Sequence, residues 1–145
     1  MGAEHSKGIL VIIGGAEDKE GDRQILREFV RCAGGVKARI VVLPLAARYP
    51  QVTGAEYVEI FRQLGATANS LQINDRQDAE SSETLAAIAE ATGVFFTGGN
   101  QSRIVALLQG TELDRAIHHR YNQGMGQPPI RCKLMIGRMQ NLVRL

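Results

Sequence analysis

Two glycine pairs, and the polar residues behind them, are the parts of this sequence best suited to chemistry. Gly14-Gly15 is followed by Ala16-Glu17-Asp18-Lys19-Glu20, and Gly98-Gly99 by Asn100-Gln101-Ser102-Arg103. Glycine lets a chain turn sharply and lets a backbone N–H approach a ligand with no Cβ in the way. Amides and a guanidinium at the start of a helix suit a carboxylate or a developing oxyanion. Neither pair belongs to a phosphate loop, because the chain contains no GxxxxGK[ST] and no GxGxxG. Read without a ligand, each pair is a tight strand-to-helix turn, and the acids behind Gly15 are a solvated helix start favoured by the helix dipole. Ser102 lacks a G-x-S-x-G setting. In the first turn of a helix it reads as a cap rather than a nucleophile.

Other reactive side chains are sparse. His118 and His119 are neighbours, so on a helix they point about 100° apart and cannot chelate together as an i, i+4 pair does. In the company of Arg115 and Arg120 they read as solvated residues. Cys32 and Cys132 lie 100 positions apart and make neither a disulfide framework nor a metal-ligand spacing. The sequence therefore predicts no metal and no cofactor. An aromatic content of 5% leaves little for a base-stacking platform.

The elements that must position these turns follow from hydrophobic pattern. Short apolar runs at 8–15, 38–44, 70–74 and 93–99 show little polar alternation, as parallel strands buried on both faces do. Helical spacing occupies 22–33, 53–64, 82–91, 101–108 and 111–123, with Gly34-Gly35 as a stop and Thr53 as a candidate cap. The order β-α-β-α-β-α-β-α-α predicts a mostly parallel sheet with helices on both faces, an α/β three-layer sandwich. In such sheets ligands gather beyond the carboxyl ends of the strands, where both glycine pairs fall.

At Gly124 this pattern breaks. Residues 124–145 hold Pro128-Pro129, three of the four methionines, and Arg131, Lys133, Arg138 and Arg144 without any acid. Residues 1–123 carry 13 Lys+Arg and 15 Asp+Glu, so the formal charge of +2 belongs to the last 22 residues. The body thus gives no electrostatic reason to expect nucleic acid or a membrane as partner. The expected form of 132–145 is a poorly packed tail, or else a short basic amphipathic helix. A length of 145 residues and a hydrophobic fraction of 44% suit one globular domain. The opening residues lack the apolar core of a signal peptide, and a reducing cytoplasm is the expected location.

Three phrases in the right order, GILVIIGGAEDKEGD, IVVLPLAAR and VFFTGGNQSRIVALLQGT, resemble the cyanophycinase family of peptidase E-like serine peptidases. The resemblance runs over 7–123. It implies an α/β sandwich like that of class I glutamine amidotransferases, its C-terminal part missing here. It also implies hydrolysis of cyanophycin, or another aspartyl peptide, to β-Asp-Arg dipeptides, and a homodimer at full length. By the same resemblance Gly98 and Gly99 supply oxyanion N–H groups, and Asn100 and Gln101 stand where the family shows Asp-Gln, with Gln101 a substrate contact.

The family's nucleophile elbow, of the form Gly-Thr-Ser-Ala-Gly, belongs to the strand directly after the helix ending near Gly124. Here the chain reads Met125-Gly126-Gln127-Pro128-Pro129, with no serine after Ser102 and no histidine after His119. The expectation is therefore an incomplete N-terminal portion over 1–123, followed by an unrelated tail over 124–145 from a shifted reading frame. No catalytic residue can be assigned in it. A non-catalytic module that binds a small anion at the glycine turns is the alternative.

Overall fold

Strands of β-branched and aromatic residues alternate with amphipathic helices from Ile9 onward. The computed structural model describes residues 9–13, 24–98, 100–122 and 132–136. Its strands are β1 (Ile9–Ile13), β2 (Arg39–Leu43), β3 (Thr67–Ser70), β4 (Gly93–Phe96) and β5 (Cys132–Ile136). Its helices are α1 (Gln24–Ala33), α2 (Pro50–Gln63), α3 (Ser82–Glu90), α4 (Gln101–Leu108) and α5 (Glu112–Asn122). They form one five-stranded sheet of order β1-β5-β4-β2-β3. Every pairing is parallel.

Side-chain alternation along the strands divides the core in two. Ile40, Val42 and Phe95 face α1 and α2, where they meet Leu26, Phe29, Val30, Tyr57 and Phe61. Val41, Leu43, Val94 and Phe96 face the other way, onto Ile88, Ile104, Leu108, Leu113 and Ile117 of α3, α4 and α5. A period of two along each strand thus supplies both helical layers, and the result is the expected three-layer α/β sandwich. Phe95 anchors the first layer, its ring 4.6 Å from Tyr57, 5.1 Å from Phe61 and 5.7 Å from Phe29 between centroids. Such tilted and edge-on aromatic contacts add to the burial itself.

Helix ends largely obey their local chemistry. Gly34 and Gly35, with φ of 124° and 65°, stop α1 as expected, since a Cβ would be strained there. α2 begins at Pro50, three residues before the anticipated Thr53 cap. Proline at the first helical position has its φ preset and no N–H to satisfy. Thr53 is inside that helix, its N–H on the Tyr49 carbonyl at 3.0 Å. Ser81 caps α3 by accepting from the Thr84 N–H at 3.2 Å. Thr111 caps α5 through the Asp114 N–H, also at 3.2 Å.

Two expected elements differ. The third strand is Thr67–Ser70 rather than 70–74. It is an edge strand in which Ala68 is the one buried residue, so its polar sequence TANS hides it from a search for apolar runs. Ile73, in the anticipated run, is buried beneath the loop that follows, in the core on the α3–α5 face. The larger correction concerns 132–145, expected as a tail or a basic helix. Residues Cys132–Ile136 form β5, inserted between β1 and β4. Lys133 and the upstream prolines conceal this strand in the sequence, because central parallel strands are ordinarily continuous apolar runs.

Candidate functional site at the carboxyl edge of the sheet

The site is built where β2 and β4 end. Register places Leu43, Phe96 and Met135 at one level, so the chain leaves β2, β4 and β5 along a common edge. From β2 it passes through Pro44, Leu45, Ala46 and Ala47, all buried, to exposed Arg48 and Tyr49. From β4 it passes through Thr97, which is fully buried, and half-buried Gly98 to exposed Asn100. Two contacts join the turns. The Asn100 N–H donates to the Ala46 carbonyl at 2.7 Å, and Arg103 Nη1 donates to the Ala47 carbonyl at 3.4 Å.

Asn100 has a structural task that its sequence position did not reveal. It is the N-cap of α4: its Oδ1 accepts from the Ser102 N–H at 3.1 Å and from the Ser102 hydroxyl at 2.6 Å. Asparagine is among the strongest capping residues, so Asn100 fixes the start of α4. The cap is Asn100 and not Ser102. The Ser102 hydroxyl is taken up by this cap, donating to the Asn100 amide oxygen.

Of the sequence-derived candidates, Gly98 and Asn100 stand in this mouth and Gln101 opens α4. Gly99, like Gly14-Gly15 and the acids after them, lies outside the described residues. His118 sits against Asp114 on its own helix, Nε2 to Oδ1 3.2 Å, and His119 is exposed. Cys32 is a free thiol near Glu28 and Arg31. Among the described residues no group of three His, Cys, Asp or Glu side chains is placed to hold a metal ion. No helix among them is long and apolar enough to cross a membrane.

Two residues of the mouth were missed from sequence. Arg48 projects from the β2 turn with its guanidinium 5.4 Å above the Tyr49 ring. Thr97 Oγ1 is buried and without a hydrogen-bond partner among the described residues. The available signal was position alone: each follows the end of a strand at the edge where ligands collect.

The resolved charge perturbations lie on helix surfaces. Hydrogen bonding to Arg31 holds the Glu28 carboxyl below its ordinary range. Glu112, by hydrogen bond and charge, raises Arg115 further.

Sheet order and the two helical layers together define a three-layer α/β sandwich on a parallel sheet, with this mouth at its carboxyl edge. A solved peptidase from an acI-B1 Actinobacterium shares this fold with a TM-score of 0.68 at 19% identity, over 90% of this chain and 54% of that one. The chain belongs to peptidase family S51, whose family model matches residues 10–126. It is similar to the cyanophycinase of Synechococcus elongatus, 44% identical over 124 residues that make up 83% of this chain and 38% of that protein. The cyanophycinase of a Nostoc species is 40% identical over 120 residues, 82% of this chain and 40% of its own length. The chain thus spans about two fifths of the length of the curated relatives it matches.

Proposed function

We propose that residues 1–123 are the N-terminal, substrate-holding portion of a cyanophycinase-like serine peptidase, and that this 145-residue chain binds without hydrolysing. The substrate class is cyanophycin or a related aspartyl peptide, cleaved by the complete parent to β-Asp-Arg in the cytoplasm. The observation that carries this reading is what occupies the strand slot after α5. Resemblance to the family assigns that slot to the elbow strand. Here β5 fills it, and the residues that follow, Gly137-Arg138-Met139-Gln140, contain no serine, histidine or acid.

Acyl transfer at an isopeptide carbonyl needs a nucleophile, a base to take its proton, and N–H donors for the oxyanion. Resemblance to the family implies the third, with Gly98 and Gly99 as donors and Gln101 as a substrate contact. The first two are assigned to no residue of this chain. A shifted reading frame near codons 123–126 accounts for both the one-sided charge of 124–145 and the family match ending at residue 126.

The parent DNA, read in all three frames downstream of the His118 codon, tests this. Another frame giving Gly-x-Ser-x-Gly, followed by His and an acid, is expected. The corrected gene product should then release β-Asp-Arg from cyanophycin while the 145-residue chain does not. Measurable release by the 145-residue chain would refute the reading. So would a gene with no elbow in any frame.

A further inference from the structure

We infer that Arg48 and Arg103 form a two-guanidinium clamp for the carboxylates of an acidic peptide, with Thr97 lending a third polar contact at the same edge. The inference rests on the mouth being the peptide site, and adds to it residues outside the glycine turn and the substrate chemistry they select.

Charge distribution carries the first part. Residues 44–55 and 91–111, which contain both turns, hold Arg48 and Arg103 and not one Asp or Glu. Yet residues 1–123 are net acidic, with 15 acids against 13 Lys+Arg. Both positive charges of these segments thus fall on one edge of the sheet, with no acid in either segment to neutralise them.

Geometry carries the second part. Arg103 leans across from α4, its Nη1 on the Ala47 carbonyl at 3.4 Å, which brings its guanidinium beside the residue preceding Arg48. That single, long bond engages one of five N–H donors, and the residue is exposed. Arg48 is exposed as well and rests over the Tyr49 ring at 5.4 Å, a face contact that engages none of its in-plane donors. Two planar forks carried on these joined turns match the paired oxygens of carboxylates, which guanidinium groups take bidentately. Ion-paired arginines of this protein look different: Arg31 is held by Glu28 and Arg115 by Glu112.

Thr97 is the third part. It precedes Gly98 at the end of β4 and is 0% exposed, and its hydroxyl has no hydrogen-bond partner among the described residues. A buried hydroxyl left unpaired is costly, and one placed at a ligand edge is explained by a ligand that completes it. Side-chain spacing in the sheet sets Thr97 one step past Phe96, level with the departing end of β5. It therefore lies at the same carboxyl edge from which the two arginine-bearing turns leave the sheet.

The experiment compares tetra-aspartate with tetra-asparagine for binding to the 145-residue chain by calorimetry, at low and high salt. Tetra-aspartate should bind more tightly, and its affinity should fall as salt screens the guanidinium groups. Arg48→Gln and Arg103→Gln should each weaken tetra-aspartate about tenfold and leave tetra-asparagine unchanged. Arg48→Lys should recover part of the loss, since it keeps charge but not the fork. Thr97→Val should weaken binding severalfold without salt dependence. Arg27→Gln, on the exposed face of α1, controls for net charge, and circular dichroism confirms that each variant folds. Equal affinity for the two peptides, unchanged by the arginine variants, would overturn the clamp while leaving the peptide site standing. Binding of neither peptide would overturn both.

Discussion

Gly54 lies within α2, and the edge strand β3 packs directly on it. A Cβ added there would stand 2.3 Å from Ser70 Oγ, 3.1 Å from Ser70 Cβ and 3.3 Å from Pro44 Cγ. In an open helix Gly→Ala stabilises by about 1 kcal/mol, through reduced backbone entropy. Here the first contact is shorter than any real Cβ tolerates. Rotating the serine hydroxyl relieves that contact only, because the Ser70 Cβ and the proline ring stay where the backbone holds them. Ser70 Oγ also accepts from Gln72 Nε2 at 3.2 Å, so rotation disturbs a second bond. The remaining relief is a withdrawal of β3 from α2, and overpacking of this kind costs about 1–3 kcal/mol. The clash outweighs the propensity gain, and Gly54→Ala should lose about 1–2 kcal/mol net. Urea unfolding followed by circular dichroism measures this as a lower midpoint at unchanged slope. Combined with Ser70→Gly, which removes two of the three contacts, the same alanine should become neutral or stabilising. The pair should therefore show a coupling of about 1 kcal/mol or more. A Gly54→Ala variant as stable as the parent, or additive with Ser70→Gly, would refute the reasoning.

Other outcomes follow from features of the same kind. Asn100→Ala should cost about 1 kcal/mol by uncapping α4, whereas Asn100→Asp should be close to neutral in a thermal melt. Thr97→Val should raise stability by about 1 kcal/mol in the absence of ligand, since it deletes an unpaired buried hydroxyl. Together with its weaker peptide binding, that would be a trade between stability and function. Glu28, whose folded-state pKa is depressed by Arg31, contributes stability that is fully present above the ordinary glutamate range. That contribution fades as pH falls through the lower folded value. Glu28→Gln should flatten the acid limb of a stability–pH curve and leave the neutral limb unaltered.

What the sequence disclosed depended on how strongly composition was tied to position. Apolar runs at β2 and β4 were legible because both faces of those strands are buried, which forces nearly every residue to be hydrophobic. β3 was displaced because an edge strand needs one buried side chain, and the neighbouring Leu71 and Ile73 imitate a strand while packing as a loop. β5 went unseen since a lysine stands within it. At the site, glycines and amides advertised the β4 turn, whose residue types are uncommon in series. Arg48 and Thr97 gave no such signal. An exposed arginine in a loop is ordinary, and a threonine ending a strand is ordinary too. Their interest arises from a neighbour more than 45 residues away and from burial, which only the fold supplies.

The place of β5 has a consequence in time. Among the described strands β1 pairs with β5 alone, in register from Ile9 with Cys132 to Ile13 with Ile136. The segment from β2 to α5 can assemble from contacts between near neighbours as it is synthesised, joining β2 to β3 and then to β4. Among the described strands, β1 has no seat until β5 has been laid down beside β4. That closure spans most of the chain, and pairings so distant in sequence are slow to form. During synthesis the apolar run ILVII therefore waits with its backbone groups unpaired, available to any other unpaired edge in reach. A nascent chain is thus exposed to misassociation at β1 until β5 arrives beside it.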